Sequence, residues 1–154
     1  MTAPVPRDRG GDEESGPLTD DELAFLAGMF ELARNGASDE LVRAVRAGVP
    51  ANLTNAGGDT LLILAAYHGH PAAVAALIEL GADTERVNDR GQTALGAAVF
   101  RQSADIVQAL LAAGADPRAG GRSAVDVATF FELPAMLALL AGGSGSDRDG
   151  TLGT

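Results

Sequence analysis

The sequence of 154 residues contains no cysteine and no tryptophan, and all 11 of its basic residues are arginine. The absence of cysteine excludes disulfides, thiolate-bound metals and a cysteine nucleophile. The absence of lysine excludes Schiff-base chemistry on a lysine side chain. The formal net charge of -10 argues against a nucleic-acid or anionic membrane surface, because both kinds of surface need a basic footprint.

Long apolar runs are also missing. No segment approaches the roughly 20 apolar residues that cross a bilayer, and residues 1–17 lack the apolar stretch of a signal peptide. We therefore expect a soluble, cytoplasmic protein without membrane contact. Residues 1–17 are rich in Pro, Gly and acids, and residues 142–154 in Gly, Ser and Asp. We expect both to be disordered, as an acidic tail and a Gly/Ser tail, because neither buries enough apolar surface to offset the entropy of ordering.

The middle of the chain repeats with a period of 33 residues. Residues 55–69 align with residues 88–102, and further pairs recur at the same offset: Leu77 and Leu110, Gly81 and Gly114, Asp83 and Asp116. A fixed period of this size predicts a stack of units, each of which buries its apolar face against its neighbours. Apolar residues at helical spacing, followed by glycines, predict two helices in each unit.

The motifs within this period resemble those of the ankyrin repeat, in particular of small stand-alone bacterial proteins. Gly-Asp-Thr-Leu-Leu-Ile-Leu-Ala-Ala-Tyr-His-Gly-His at 58–70 and the Gly-Ala-Asp triplets at 81–83 and 114–116 match best. The chain departs from the family's Thr-Pro-Leu-His motif: its proline is replaced by Leu61, Ala94 and Ala124, and its histidine by Ile63, Gly96 and Asp126. The resemblance implies an all-α solenoid at 18–141, with about four helix-turn-helix repeats and short finger turns at about 20–54, 55–87, 88–117 and 118–141.

Few residues in this pattern are suited to chemistry. His68 and His70 flank Gly69, but two histidines without a third ligand make a weak metal site. The resemblance implies instead that the His70 side chain bonds backbone between neighbouring loops. No phosphate-binding glycine loop with a lysine and no serine-hydrolase elbow beside a triad occurs. We therefore expect no enzymatic activity, no catalytic residue, no cofactor and no bound metal.

Aromatic residues recur at one position of the repeat, seven residues after its Thr or Ser. Aromatic residues and arginine are enriched at interface hot spots, although rings at this position could equally pack between repeats as core. The resemblance places this position, its successor and the finger turns on the concave face. We predict that the partner-binding residues there are Arg34, Asp59, Tyr67, His68, Asp89, Arg90, Gln92, Phe100, Arg101, Arg122, Phe130 and Phe131.

These observations predict a non-catalytic module that binds a partner protein through the concave face of the array. The resemblance to small bacterial ankyrin proteins implies an accessory role beside an enzyme such as a catalase. Two alternatives stay open: a self-assembling unit that dimerises through an exposed first helix carrying Phe25, Met29 and Phe30, and an acidic mimic or inhibitor of a basic surface. We expect a monomer, with a dimer as the alternative.

Overall fold

The computed structural model describes the backbone of residues 18–149 and the side chains of residues 18–142. Eight α-helices lie in that range: α1 (Asp20–Asn35), α2 (Ser38–Arg46), α3 (Leu61–Tyr67), α4 (Pro71–Glu79), α5 (Ala94–Arg101), α6 (Ala104–Ala112), α7 (Ala124–Phe130) and α8 (Pro134–Asp149). Between residues 18 and 149 extended pairing is limited to two isolated bridges, Thr54 with Thr60 and Gln92 with Arg122. The predicted all-α solenoid of helical hairpins is confirmed.

Side-chain caps set the starts of the inner helices α1, α3, α5 and α7. Thr60, Thr93 and Ser123 precede three of them, and each hydroxyl oxygen accepts a hydrogen bond from the backbone N–H three residues later, at 3.0, 3.0 and 3.1 Å. Thr19 caps α1 in the same way and forms a capping box with Glu22. Each bond satisfies an N–H that has no partner inside the helix.

The hairpins stack in two layers. The inner helices α1, α3, α5 and α7 pack on one another in that order, and the outer helices α2, α4, α6 and α8 do the same. Ala65 and Ala98 are fully buried, and their small side chains let the inner helices approach closely. Leu77 and Leu110 occupy the equivalent place in the outer layer and are also fully buried. Each hairpin therefore completes the core of its neighbours.

His70 joins the first two hairpins. Its Nε2 donates to the backbone carbonyl of Arg34 near the end of α1, at 2.7 Å. Gly36, with φ +73°, lies directly against the His70 ring, and a Cβ at that position would come within 2.5 Å of Nδ1. Only glycine suits both the left-handed backbone and this close approach. The backbone-bonding role that the resemblance implied for His70 is thus the one that the structure shows.

The finger turns between units share one hydrogen-bonded arrangement. The Oδ1 of Asn55 accepts from two backbone N–H groups of its own turn, at 3.0 and 2.9 Å, and the Oδ1 of Asn88 does the same in the next unit, at 2.9 Å for both. Asn88 is only 5% exposed. Its Nδ2 donates across the unit boundary to Asp59 and within its own finger to Gln92. Adjacent fingers are therefore linked by a buried side chain as well as by backbone.

Helix α8 extends to Asp149 and so includes residues 142–149 of the segment for which we expected a Gly/Ser tail. Extending an existing helix fixes one residue for each hydrogen bond gained, which costs less than starting a new helix. The predicted acidic tail at 1–17 and residues 150–154 lie outside the described residues. None of the helices in the described part of the chain combines the length and apolarity that a membrane span requires.

The first helix does not present the apolar surface that the self-assembly alternative requires. Met29 and Phe30 are only 2% and 8% exposed, and Phe25 packs half-buried against the core. The prediction that these three side chains form an exposed face is wrong, because α2 and α3 both pack against α1 and cover it.

The stacked core can be tested on α6, where Leu110 is fully buried and Gln108 is exposed. Leu110→Ala is expected to lower the free energy of unfolding by about 2–5 kcal/mol, because it removes buried apolar groups and leaves a cavity. Gln108→Ala on the same helix is the matched control and should change it by no more than about 0.5 kcal/mol. Urea unfolding followed by circular dichroism measures both, and equal effects of the two variants would contradict the proposed core.

Candidate partner-binding surface

Four aromatic side chains form a continuous row across three hairpins, here named the aromatic ladder: Tyr67, Phe100, Phe130 and Phe131. Tyr67 and Phe100 stack, with ring planes 4° apart and centroids 5.9 Å apart. Phe131 meets Phe100 edge to face at 5.6 Å and Phe130 at 4.9 Å. Phe130 occupies the same repeat position as Phe100, but the ring that contacts Phe100 from the next unit is that of Phe131. Stacked and T-shaped pairs at these separations are favourable arrangements of aromatic rings.

The aromatic ladder faces water although its rings contact one another. Tyr67, Phe100 and Phe131 are 40%, 46% and 49% exposed, and Phe130 is 77% exposed. The alternative that these rings pack between the repeats as core is therefore not what the structure shows. Four of the six aromatic residues in the chain lie in this exposed row. A contiguous exposed apolar patch of this kind is typical of an interaction site.

A groove of about 530 Å³ runs beside the ladder. Its lining consists of the four ladder residues together with Gln92, Gly96, Ala97, Arg122, Asp126 and Val127. The volume lies within the range of roughly 300–1,000 Å³ that is typical of ligand pockets. Six of the twelve residues that we predicted to bind a partner therefore line one concave space.

The groove also contains four residues that the sequence analysis did not nominate. Gly96, Ala97, Asp126 and Val127 lie on α5 and α7, between the ladder and the finger turns. The signal was present in the sequence, since Gly96 stands where the repeat motif has histidine. Without a side chain at this position, the base of the groove stays open and the next finger can approach α5. A Cβ at Gly96 would lie only 3.3 Å from the carbonyl oxygen of Arg122 in that finger.

Three of the predicted finger residues are joined through Asn88. Its Nδ2 donates to Asp59 Oδ1 at 2.8 Å and to Gln92 Oε1 at 3.0 Å. The Nε of Arg90 also donates to Gln92 Oε1, at 3.3 Å. These contacts hold the finger side chains in place, and Gln92 is the member of this group that reaches the groove.

The remaining two finger residues, Asp89 and Arg122, are anchored by backbone and leave their side chains exposed. Each donates its N–H to a carbonyl in the preceding finger, at 3.0 Å for Asp89 and 2.9 Å for Arg122. Arg122 lines the groove, whereas Asp89 does not. The predicted finger residues are thus divided between those that line the groove and those that lie outside it.

Basic side chains lie beside the ladder, at the C-terminal ends of α1, α3 and α5. Arg34, His68 and Arg101 are here named the cationic edge, after its two guanidinium groups. The His68 ring meets Tyr67 edge to face, with centroids 5.2 Å apart. The guanidinium of Arg101 packs over Gly69 and donates to the carbonyl oxygen of His68 at 3.4 Å. Arg34 is paired with Glu31 at 2.6 Å. The guanidinium charges in the last turns of α1 and α5 complement the helix dipoles.

The pKa of His68 lies below its ordinary value of 6.5. Partial burial is the largest cause, and the positive charges of Arg34, His70 and Arg101 act in the same direction, while Glu31 opposes them. Burial therefore disfavours the charged imidazole first, and the neighbouring positive charges add to that effect.

The two histidines do not form a metal site with their neighbours. His70 is committed to the carbonyl of Arg34. Among the residues that the structure describes, no group of three or more His, Asp or Glu side chains is arranged to hold a metal ion.

Comparisons with known proteins agree with the geometry. A family model described as ankyrin repeats matches residues 29–120 in three copies, which is more than half of the chain. An ankyrin repeat protein of Pseudomonas aeruginosa is 48% identical over 50 residues, which is 32% of this chain and 29% of that protein. The inactive serine/threonine-protein kinase TEX14 of Mus musculus is 34% identical over 103 residues, 67% of this chain and 7% of the relative.

A fungal relative matches over a longer stretch. The ankyrin repeat domain-containing protein SAT10 of Stachybotrys chartarum is 31% identical over 126 residues, 80% of this chain and 6% of the relative. The chain therefore spans less than a third of the length of each of these three relatives.

The environment of His68 gives a testable titration. We expect His68 to titrate below pH 6.5 in NMR spectra of the full chain, and Arg101→Gln to move its pKa upward but not fully to 6.5, because burial persists. Arg46→Gln, on α2 and outside the cationic edge, is the control.

The sign for stability follows from the same shift. Since the unfolded chain binds this proton more tightly than the folded chain, the contribution of His68 to stability is fully present above pH 6.5 and decreases as the pH falls below that value. A His68 pKa that Arg101→Gln leaves unchanged would contradict the proximity of the two charges.

Proposed function

Since the chain belongs to the ankyrin-repeat family, whose repeats are generic protein–protein interaction modules, we propose that it binds a partner protein through the aromatic ladder and the adjoining groove. The observation that carries this proposal is the exposure of four aromatic residues whose rings contact one another; they are 40% to 77% exposed. When a partner binds and removes an apolar surface of this kind from water, the free energy of the system falls.

The ladder is also suited to binding by its rigidity. Ring–ring contacts restrict the side chains before a partner arrives, so less conformational entropy is lost on association. Aromatic side chains offer a large contact area at a low entropic cost, which is one reason that they recur at hot spots. The finger turns on the other side of the groove are held by the Asn88 network, so both walls of the site are preorganised.

We propose that the chain is not an enzyme, as is general for this family. Asp126 is the one acidic residue that lines the groove, and its Oδ2 accepts from the backbone N–H of Ser123 at 3.2 Å. It completes the cap of α7 and faces no second carboxylate across the groove. General acid–base chemistry with paired carboxylates has no counterpart in this lining.

The two alternatives have less support. Self-assembly through α1 loses its basis because Met29 and Phe30 are buried. Acidic mimicry depends on the net charge, and the acidic residues at 8–14 lie outside the described residues. Of the acidic residues in the first turn of α1, Glu22 is engaged in the capping box. We therefore propose partner binding through the ladder, with the chain as a monomer in the absence of that partner.

The ladder and groove define a type of contact and do not single out one partner. The resemblance implied an accessory role beside a catalase, and this role needs an experiment of its own. In that experiment, purified catalase of the native host is added to the immobilised full chain. Saturable binding that depends on the ladder would support catalase as the partner, and the absence of binding would exclude it.

The general proposal is tested by affinity capture from a lysate of the native host, using the tagged full chain. We expect one stoichiometric partner, and we expect Tyr67→Ala and Phe100→Ala each to weaken its binding by about tenfold or more, the size of a hot-spot loss. Val87→Ala is the matched control, because Val87 is an exposed apolar side chain, at 44%, outside the groove.

Thermal unfolding of each variant confirms that the fold is retained. Recovery of no stoichiometric partner, or equal recovery with both ladder variants, would overturn the proposed surface.

A further inference from the structure

Two arginines beside the ladder have no carboxylate partner, whereas two of the nearby carboxylates already have donors. Glu31 is paired with Arg34, and Asp126 accepts from the N–H of Ser123. Within residues 18–142, by contrast, no carboxylate lies within ion-pairing distance of Arg101 or Arg122. Both arginine side chains are exposed. These two guanidinium groups can therefore pair with carboxylates of a partner, although the whole chain carries a net charge of -10.

The two unpaired arginines lie at opposite ends of α5. Arg101 is its last residue, and the backbone of Arg122 is bonded to the finger that immediately precedes α5. Since α5 has 8 residues, these ends lie about 12 Å apart at 1.5 Å per residue. An extended peptide rises about 3.3 Å per residue, so roughly four residues of an extended segment span this distance.

The apolar part of the groove lies along α5; Arg122 lines the groove and Arg101 lies outside its lining. The groove is bounded there by Phe100, Phe130 and Phe131, with Gly96 and Ala97 at its base. Its volume of about 530 Å³ can accept an aromatic side chain. An aromatic group that enters it meets ring faces and edges, which are the favourable partners for another ring.

From this arrangement we propose that the partner contributes an extended acidic segment, with an aromatic side chain in the groove and carboxylates about four residues apart that pair with Arg101 and Arg122. This inference rests on the proposed function, and it specifies the chemistry of the partner. Arginine binds carboxylates through two parallel hydrogen bonds, so each pair adds geometric specificity. A basic segment would be repelled by the cationic edge.

The test uses fluorescein-labelled synthetic peptides and the full chain, with binding followed by fluorescence anisotropy at low and high salt. The probe has the sequence Gly-Glu-Ser-Phe-Ser-Glu-Gly, which places two carboxylates four residues apart around a phenylalanine. One control peptide replaces both Glu with Lys, and a second replaces Phe with Ser. We expect the probe to bind at least about tenfold more tightly than either control, and its affinity to fall with added salt.

Protein variants locate the contact. Arg101→Gln and Arg122→Gln are each expected to weaken the probe by about tenfold, whereas Arg46→Gln on α2 leaves its affinity unchanged. A second experiment reverses the charge at both arginines and measures a change of peptide preference, so it does not depend on loss of binding. The double variant Arg101→Glu with Arg122→Glu should prefer the Lys peptide over the Glu probe, provided that its circular dichroism matches the parent chain.

Three results would overturn the inference: no saturable binding of the probe up to about 1 mM, binding of the Lys peptide as tight as that of the probe, or equal losses in Arg46→Gln and Arg101→Gln. Its failure is distinguishable from that of the proposed function. If the peptide test fails but the ladder variants still bind the captured partner more weakly than the parent chain does, only the inference of an acidic segment is rejected. If no partner is captured at all, the binding surface itself is rejected.

Discussion

The structure depends on the burial of each hairpin's apolar face against the next hairpin. No single unit of about 33 residues can enclose a core, so the units are stable only as a stack. Buried alanines such as Ala65 and Ala98 bring the inner helices close together. The same spacing brings the ends of α3, α5 and α7 into register, which is why rings from three units contact one another.

The ladder is a surface feature that the core positions but does not cover. Its rings stand where the inner helices end and the chain turns, and the turns require left-handed backbone. Gly69 supplies it at no steric cost, whereas Gln102 and Glu132 adopt it with φ of +58° and +53° as non-glycine residues. Such positions cost of order 1–3 kcal/mol and persist where the surroundings determine them. Here they hold the two turns that follow the ladder residues of α5 and α7.

Charge and apolar surface act together in the proposed site. A chain with a net charge of -10 is repelled by most acidic proteins at long range, so a partner segment with carboxylates must meet locally positive groups. Arg101 and Arg122 supply them at the two ends of α5, and the ladder supplies the apolar area between them. Specificity then comes from the combination, because neither an acidic segment without an anchor nor an aromatic segment with basic flanks satisfies both parts.

The sequence by itself determined the repeat, the all-α class and the positions of the recurring aromatics, because these are set by spacing along the chain. Only the tertiary structure decided that the ladder is exposed while Met29 and Phe30 are buried, that Phe131 joins Phe100, and that Gly96 and Val127 line a groove. Apolar periodicity shows which face of a helix seeks cover, but burial depends on which neighbour packs there, and that neighbour is supplied by another part of the chain.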